Sequence, residues 1–202
     1  MKSINFNGKS VVPSKVVCVG RNYVEHIKEL NNEIPSQMVL FNKPNSAITD
    51  SLRYFSDTHR FECELCFLMQ EGKISGIGLG LDLTDKKAQE YAKQKGLPWE
   101  RAKAFDNSAV LSDFIEFNGN LEDLSFKLYI NDNLQQEADF DLMIYKPLTI
   151  VKEVQTFMTL EENDIIMSGT PKGVGSYKVG DRFSAFLYES NQEILKVDWV
   201  VL

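Results

Sequence analysis

The chain has 202 residues, of which 43% are hydrophobic and 25% charged, and it carries a formal net charge of −7. A chain of this size and composition buries a core without staples and is not a disordered segment. Its acidic balance and the lack of any Lys/Arg cluster exclude a phosphate-binding surface, so no nucleic-acid partner is expected.

The opening residues MKSINFNG hold no apolar stretch, so no signal peptide is read there, and the expected compartment is the cytoplasm. The longest unbroken apolar run, 65–69, is far short of the roughly 20 residues that span a bilayer, so no membrane partner is expected. The odd count of cysteines, Cys18, Cys63 and Cys66, argues against a disulfide framework. Cys63-Glu64-Leu65-Cys66 matches a redox spacing, but on a strand residues three apart point to opposite faces, so the match is read as accidental.

In chain order, residues 1–14 form a short lead-in to a single domain covering 1–202. Residues 15–20 (KVVCVG) read as a buried strand closed by glycine. Residues 22–32 read as a short helix that Asn22 can cap. Residues 38–42 are a short strand stopped by Pro44, and 60–69 a longer strand running into the core. Gly76, Gly78 and Gly80 alternate with apolar residues, as in an extended segment with a close-packed glycine face. Residues 84–95 predict a helix with Thr84 as cap, ended by Gly96 and Pro98. A strand over 126–131, a turn at 131–133 and a helix over 147–158 follow. Residues 164–167 form a strand that leads into a glycine-rich loop at 168–175, and 183–189 with 193–201 make a closing hairpin. Strands outnumber helices without regular alternation, which predicts an α+β fold.

Three constellations can carry chemistry. Glu62 and Glu64, two apart on a strand, project from one face, where their mutual repulsion calls for a divalent cation. Asp82 sits at a strand end, and because Asp85 can serve the helix as a cap, Asp82 is left free to complete a magnesium site of three hard carboxylates. His26 and Glu29, three apart on the 22–32 helix, can form a general-base dyad. The 169–175 loop fails the P-loop pattern, although its backbone N–H groups can still face an anion.

The order of these signals resembles the fumarylacetoacetate hydrolase family. Gly20-Arg21-Asn22-Tyr23 with His26 and Glu29 is similar to its GRNYxxHxxE opening, and Phe41-Asn42-Lys43-Pro44 to its FxKP segment. Glu62-Cys63-Glu64-Leu65 resembles its ExEL strand, and Asp82-Leu83-Thr84 with Gln89 its D-x-T…Q segment. Gly96-Leu97-Pro98-Trp99 through Asp106 resembles its GLPW…AKxFD stretch, and Ser168 to Gly175 its TGTPxGVG loop. The resemblance implies a mixed β-sheet roll or barrel with short peripheral helices, usually a homodimer. It implies magnesium, or manganese, on Glu62, Glu64 and Asp82, and a lid bearing His26 and Glu29. It also implies a catalytic Lys103, with Arg21, Lys43, Gln89 and Thr170 contacting substrate.

The implied activity is hydrolysis of a C–C bond in an acylpyruvate-type 2-oxo acid through a pyruvate enolate. The alternative at the same site is an oxaloacetate decarboxylase or tautomerase, or an isomerase of an unsaturated 2-oxo diacid of the 2-hydroxyhepta-2,4-diene-1,7-dioate type. A non-catalytic binding protein ranks below both. The sequence departs from the family where Arg60, preceded by His59, replaces the usual histidine, and where Asp85-Lys86-Lys87 follows Thr84.

Overall fold

A computed structural model describes residues 1–25 and 37–202. The strands in chain order are β1 (Ile4–Phe6), β2 (Lys9–Val11), β3 (Lys15–Gly20), β4 (Val39–Pro44), β5 (Ile48–Thr49), β6 (His59–Arg60), β7 (Cys63–Gln70) and β8 (Lys73–Asp82). They continue with β9 (Thr84–Asp85), β10 (Ala109–Leu111), β11 (Ile115–Glu116), β12 (Leu124–Ile130), β13 (Asn133–Asp139), β14 (Ile165–Met167), β15 (Arg182–Glu189) and β16 (Gln192–Val200). The helices described are short: α1 (Lys86–Lys95), α2 (Glu100–Lys103) and α3 (Pro147–Gln155). Among the described residues no helix is long and apolar enough to cross a membrane.

The principal sheet runs β4-β3-β14-β7-β8-β10-β5, with β11 also on β8. It is mixed: β3 with β14 and β10 with β5 are parallel, and the other pairs antiparallel. Laid flat, seven neighbouring strands would hold their edges about 29 Å apart. Yet the edge strands β4 and β5 are joined through the single turn Asn45–Ala47, a path of at most about 14 Å. The sheet is therefore curled on itself, the α+β roll that the strand-rich pattern predicts.

Side-chain alternation fills the two faces. Val16, Cys18, Ile48, Cys66, Leu68, Ala109, Leu111, Ile165 and Met167 line the inside of the curl. Cys63, Leu65, Phe67, Ile77, Leu79 and Leu81 point outward, against Leu124, Phe126, Leu128, Phe183, Ala185 and Leu187 of the sheet β13-β12-β15-β16 and against Ile150 and Val154 of α3. Cys63 and Cys66 thus fall in different cores, and all three cysteines are free and buried, which removes the redox reading of the CxxC spacing.

Several boundaries differ from expectation for local reasons. The lead-in is a hairpin, β1-β2, turned at Asn7-Gly8 with φ of 50° and 76°, and its Ile4 and Phe6 plug the curled sheet. Strand β4 runs through Pro44 instead of stopping before it, because β4 is an edge and a missing N–H is tolerated there. The strand expected over 60–69 breaks at Phe61-Glu62 into β6 and β7. Helix α1 is capped by Asp85, which accepts from Lys87 N and Ala88 N, and not by Thr84. Asn22 does not cap a helix either: it bonds the backbone of Tyr145 and Ser168. Most of the helix expected over 22–32, with His26 and Glu29, lies outside the described residues.

Candidate active site

The three acids meet through strand register. In the β7/β8 pair Glu64 faces Gly80 and Cys63 faces Leu81. One step further Glu62 comes opposite Asp82, whose N–H donates to Glu62 O over 2.9 Å. Period-two alternation then sends all three side chains to the inner face of the curl. One oxygen from each lies within 4.8 Å of the others. Glu64 and Asp82 are buried, at 2% and 1% exposure.

Two ammonium groups accompany them. Lys103 of α2 donates to Glu62 Oε2 over 2.8 Å and to Asp82 Oδ2 over 2.6 Å. Thr84 Oγ1 accepts from Lys103 and donates to Glu62 Oε1 over 3.1 Å. Lys43 reaches Asp82 Oδ1 at 2.8 Å, an ion pair lacking hydrogen-bond angles, and donates to Leu83 O, Lys103 O and Ser108 Oγ. Lys43 starts on β4, four strands away from β8 in the sheet order, so only the curl brings its side chain to Asp82.

The glycine-rich loop does offer an N–H to an anion, but the anion is the protein's own. Gly169 N donates to Glu64 Oε2 over 2.7 Å. Gly169 has φ of 98°, and a Cβ there would stand 2.7 Å from Asn22 Cβ and 3.0 Å from Val19 O, so only glycine fits. Asn22 holds the preceding carbonyl, of Ser168, over 2.7 Å. Thr170 Oγ1 donates to Cys63 O over 2.8 Å and accepts from Gln136 Nε2, while Gln136 Oε1 accepts from Cys63 N.

Burial pushes the Glu64 carboxyl well above its usual range, and the Asp82 and Glu62 charges push it further. Burial alone would lower the Lys103 ammonium, but Asp82 and Glu62 together outweigh it and hold that group above the ordinary lysine value. Three carboxylates against two ammonium groups leave negative charge in a buried place, and every donor is a hard oxygen. That set fits a six-coordinate divalent cation of the magnesium or manganese type.

The structure therefore brings Glu62, Glu64, Asp82, Lys103 and Lys43 together. Lys43 is fully buried with its donors engaged, which makes it a support for Asp82 and not the substrate contact expected. Thr170 likewise spends its hydroxyl on Cys63 O, between Glu62 and Glu64. Gln89 is buried on α1, and Arg21 lies at the end of β3 with φ of 58°. The sequence reading missed Thr84 and Gln136 as parts of this site; it held the 169–175 loop as an anion-facing segment without naming Glu64 as the anion. Gln136 carried a signal, as a polar residue at an inward position of a strand whose neighbouring inward position is Ala138.

The sequence is 38% identical to the oxaloacetate tautomerase YcgM of Escherichia coli, over an alignment covering 85% of this chain and 87% of the relative. It is 33% identical to the mitochondrial oxaloacetate tautomerase FMP41 of Saccharomyces cerevisiae, with 92% and 91% covered. The fold superimposes with a TM-score of 0.92 on a fumarylacetoacetate isomerase/hydrolase-like protein of Oleispira antarctica, at 36% identity and full coverage of both chains. A fumarylpyruvate hydrolase of Pseudomonas aeruginosa, solved with Mn2+ and pyruvate, gives a TM-score of 0.89 at 26% identity, covering 100% of this chain and 95% of the other. The model of the fumarylacetoacetate (FAA) hydrolase C-terminal domain matches residues 15–196, and with the acidic triad at the mouth of a curled mixed sheet this chain belongs to the fumarylacetoacetate hydrolase family of enzymes.

Proposed function

We propose that the protein is a divalent-metal-dependent tautomerase of a 2-oxo acid, with oxaloacetate as the substrate the relatives support best. This reverses the order read from sequence, where C–C hydrolysis came first. The observation that carries the reading is the convergence of Glu62, Glu64 and Asp82 in a chain 38% identical to an oxaloacetate tautomerase.

Glu62, Glu64 and Asp82 hold the cation, with Mg2+ or Mn2+ suiting their oxygen donors. When bound, the cation supplies Lewis acidity toward the substrate's carboxylate and 2-oxo oxygens and lowers the energy of the enolate. Lys103 keeps its proton, because two carboxylates hold its ammonium above the ordinary value. It acts as fixed positive charge beside the developing oxyanion and as an anchor for Glu62 and Asp82. We assign the moving proton to His26, supported by Glu29, since an ordinary imidazole can take up and release a proton near neutral pH. The imidazole takes the proton from C3, the C–H electron pair becomes the C2–C3 double bond, and the same proton returns to the 2-oxo oxygen to give the enol.

Hydrolysis of an acylpyruvate is the second reading, favoured by the likeness to the fumarylpyruvate hydrolase solved with Mn2+ and pyruvate. One experiment separates the two. With Mg2+ present, loss of the enol absorbance of oxaloacetate is followed alongside hydrolysis of acetylpyruvate and release of carbon dioxide from oxaloacetate. Tautomerisation with the highest kcat/KM is the expected result. Faster acetylpyruvate cleavage overturns the assignment in favour of the hydrolase.

A further inference from the structure

We propose that Lys93, together with Arg21, binds a second substrate carboxylate and so selects 2-oxo dicarboxylates over 2-oxo monocarboxylates; this rests on the tautomerase reading above. Lys93 lies on α1 one turn beyond Gln89, on the same side of the helix. Its ammonium stands 5.3 Å from the centre of the Trp99 ring. That ring packs 6.0 Å from Phe41, and the Lys103 ammonium sits 4.9 Å above Phe41. Two aromatic rings thus link Lys93 to the lysine that touches Glu62 and Asp82. Trp99 also packs against Gly20, where an added Cβ would come 3.7 Å from the indole, and Gly20 leads directly into Arg21.

Among the described residues neither cation has a carboxylate of its own. Among the described residues no acid lies within ion-pair distance of Lys93 or Arg21. The Arg21 Nε is buried without a hydrogen-bond partner, and Arg21 is held in the left-handed region at φ of 58°. A left-handed arginine with an orphaned donor is unfavourable for folding alone and is the kind of feature that persists where a ligand compensates it. Lys86, Arg21 and Lys103 are cations close enough to act on Lys93, and Glu62 opposes them. Burial and this surplus lower the Lys93 ammonium to about 8, which an incoming anion would reverse.

Charge balance points the same way. Counting the described residues, three acids, two ammonium groups and a divalent cation leave one positive charge, which a single substrate carboxylate neutralises. Among the described residues, the cations placed to meet a second carboxylate on the same substrate are Lys93 and Arg21. Aromatic walls formed by Trp99 and Phe41 strengthen that pairing by excluding water.

The test compares oxaloacetate with 2-oxobutanoate, which replaces the second carboxylate with a methyl group and keeps the C3 protons. Lys93→Met retains the aliphatic stem over Trp99, and Lys93→Arg retains the charge. In Lys93→Met, kcat/KM for oxaloacetate should fall roughly ten- to hundredfold, mainly through KM, while 2-oxobutanoate stays within about twofold. Lys93→Arg should recover most of the loss. Equilibrium binding of both compounds to the Mg2+-loaded protein, read by quenching of tryptophan fluorescence, should show the same selectivity. If oxaloacetate binds more tightly than 2-oxobutanoate through Lys93 but is not turned over, the tautomerase reading fails and the subsite stands. A folded Lys93→Met variant that loses both compounds equally, or neither, overturns the subsite.

Discussion

Gly169 donates its backbone N–H to Glu64 Oε2 over 2.7 Å, and across the sheet on the other side Glu64 faces Gly80. A Cβ at Gly80 would approach Cys66 Sγ to 2.9 Å and Met167 Cε to 3.0 Å. The central acid of the triad is thus flanked by two residues without side chains, which gives a buried carboxylate both room and a fixed donor.

Replacing Gly169 with alanine should disturb that donor. The new methyl group meets Asn22 and the Val19 carbonyl, and the φ of 98° is unfavourable for any L side chain. Loss of about 1–3 kcal/mol of stability is expected. Metal affinity, measured by calorimetric titration with Mn2+, should weaken by about 10–100-fold, as for other groups that orient a ligand. Unchanged affinity would show that Glu64 does not depend on this N–H.

Glu64→Gln should separate stability from function. The amide oxygen can still accept from Gly169, while the charge that burial, Asp82 and Glu62 make unfavourable is gone. The metal-free variant should melt a few degrees above the unsubstituted protein. The rise in melting temperature that Mg2+ produces should vanish, and turnover should drop by at least about a hundredfold.

The Lys93 subsite carries a pH signature. Its ammonium is lowered to about 8 by burial first, then by Lys86 and Arg21, with Lys103 adding to the effect and Glu62 opposing it. The protonated form is the one that pairs with a carboxylate, so kcat/KM for oxaloacetate should fall as pH rises through about 8. The profile for 2-oxobutanoate should lack that limb, and Lys93→Arg should move it beyond the measurable range.

Far from the site, Asp164 ties the start of β3 to the start of β14. It accepts from Ser14 N at 2.9 Å, Ser14 Oγ at 2.7 Å, Lys15 N at 3.1 Å and Glu161 N at 2.9 Å, and it pairs with the Lys15 ammonium. Burial pushes its carboxyl up, but the hydrogen bonds from Lys15, Ser14 and Glu161 prevail and hold it below the usual value. Asp164→Asn should therefore cost about 3 kcal/mol in urea unfolding at pH 7. Because the folded value is the lower one, this contribution is complete above the unfolded value near 4 and is lost as pH falls through the folded value. The gap between the two proteins should be constant from pH 5 to 7 and narrow below about pH 4.

Much of the fold was legible because its signals are local. The apolar runs of β3 and β7, the glycine ladder of β8 and the Gly96 stop of α1 each need only neighbours in sequence. The β1-β2 hairpin was not read: Asn7-Gly8 is a turn signal, but its strands are only three residues long and carry little pattern. Thr84 was misassigned because two adjacent residues, Thr84 and Asp85, can both cap a helix. The choice fell to Asp85 only because Thr84 is drawn to Glu62 and Lys103.

By itself the sequence determined that Glu62 and Glu64 share a face, that Asp82 ends a strand, and that a lysine follows a GLPW segment, because strand alternation and turn chemistry act over a few residues. Tertiary structure decided that Asp82 stands opposite Glu62, that Lys43 supports it from a strand at the sheet's edge, that Gly169 donates to Glu64, and that Trp99 and Phe41 connect Lys93 to Lys103. These depend on register between distant strands and on the curl of the sheet, which arise from long-range packing that no local pattern encodes.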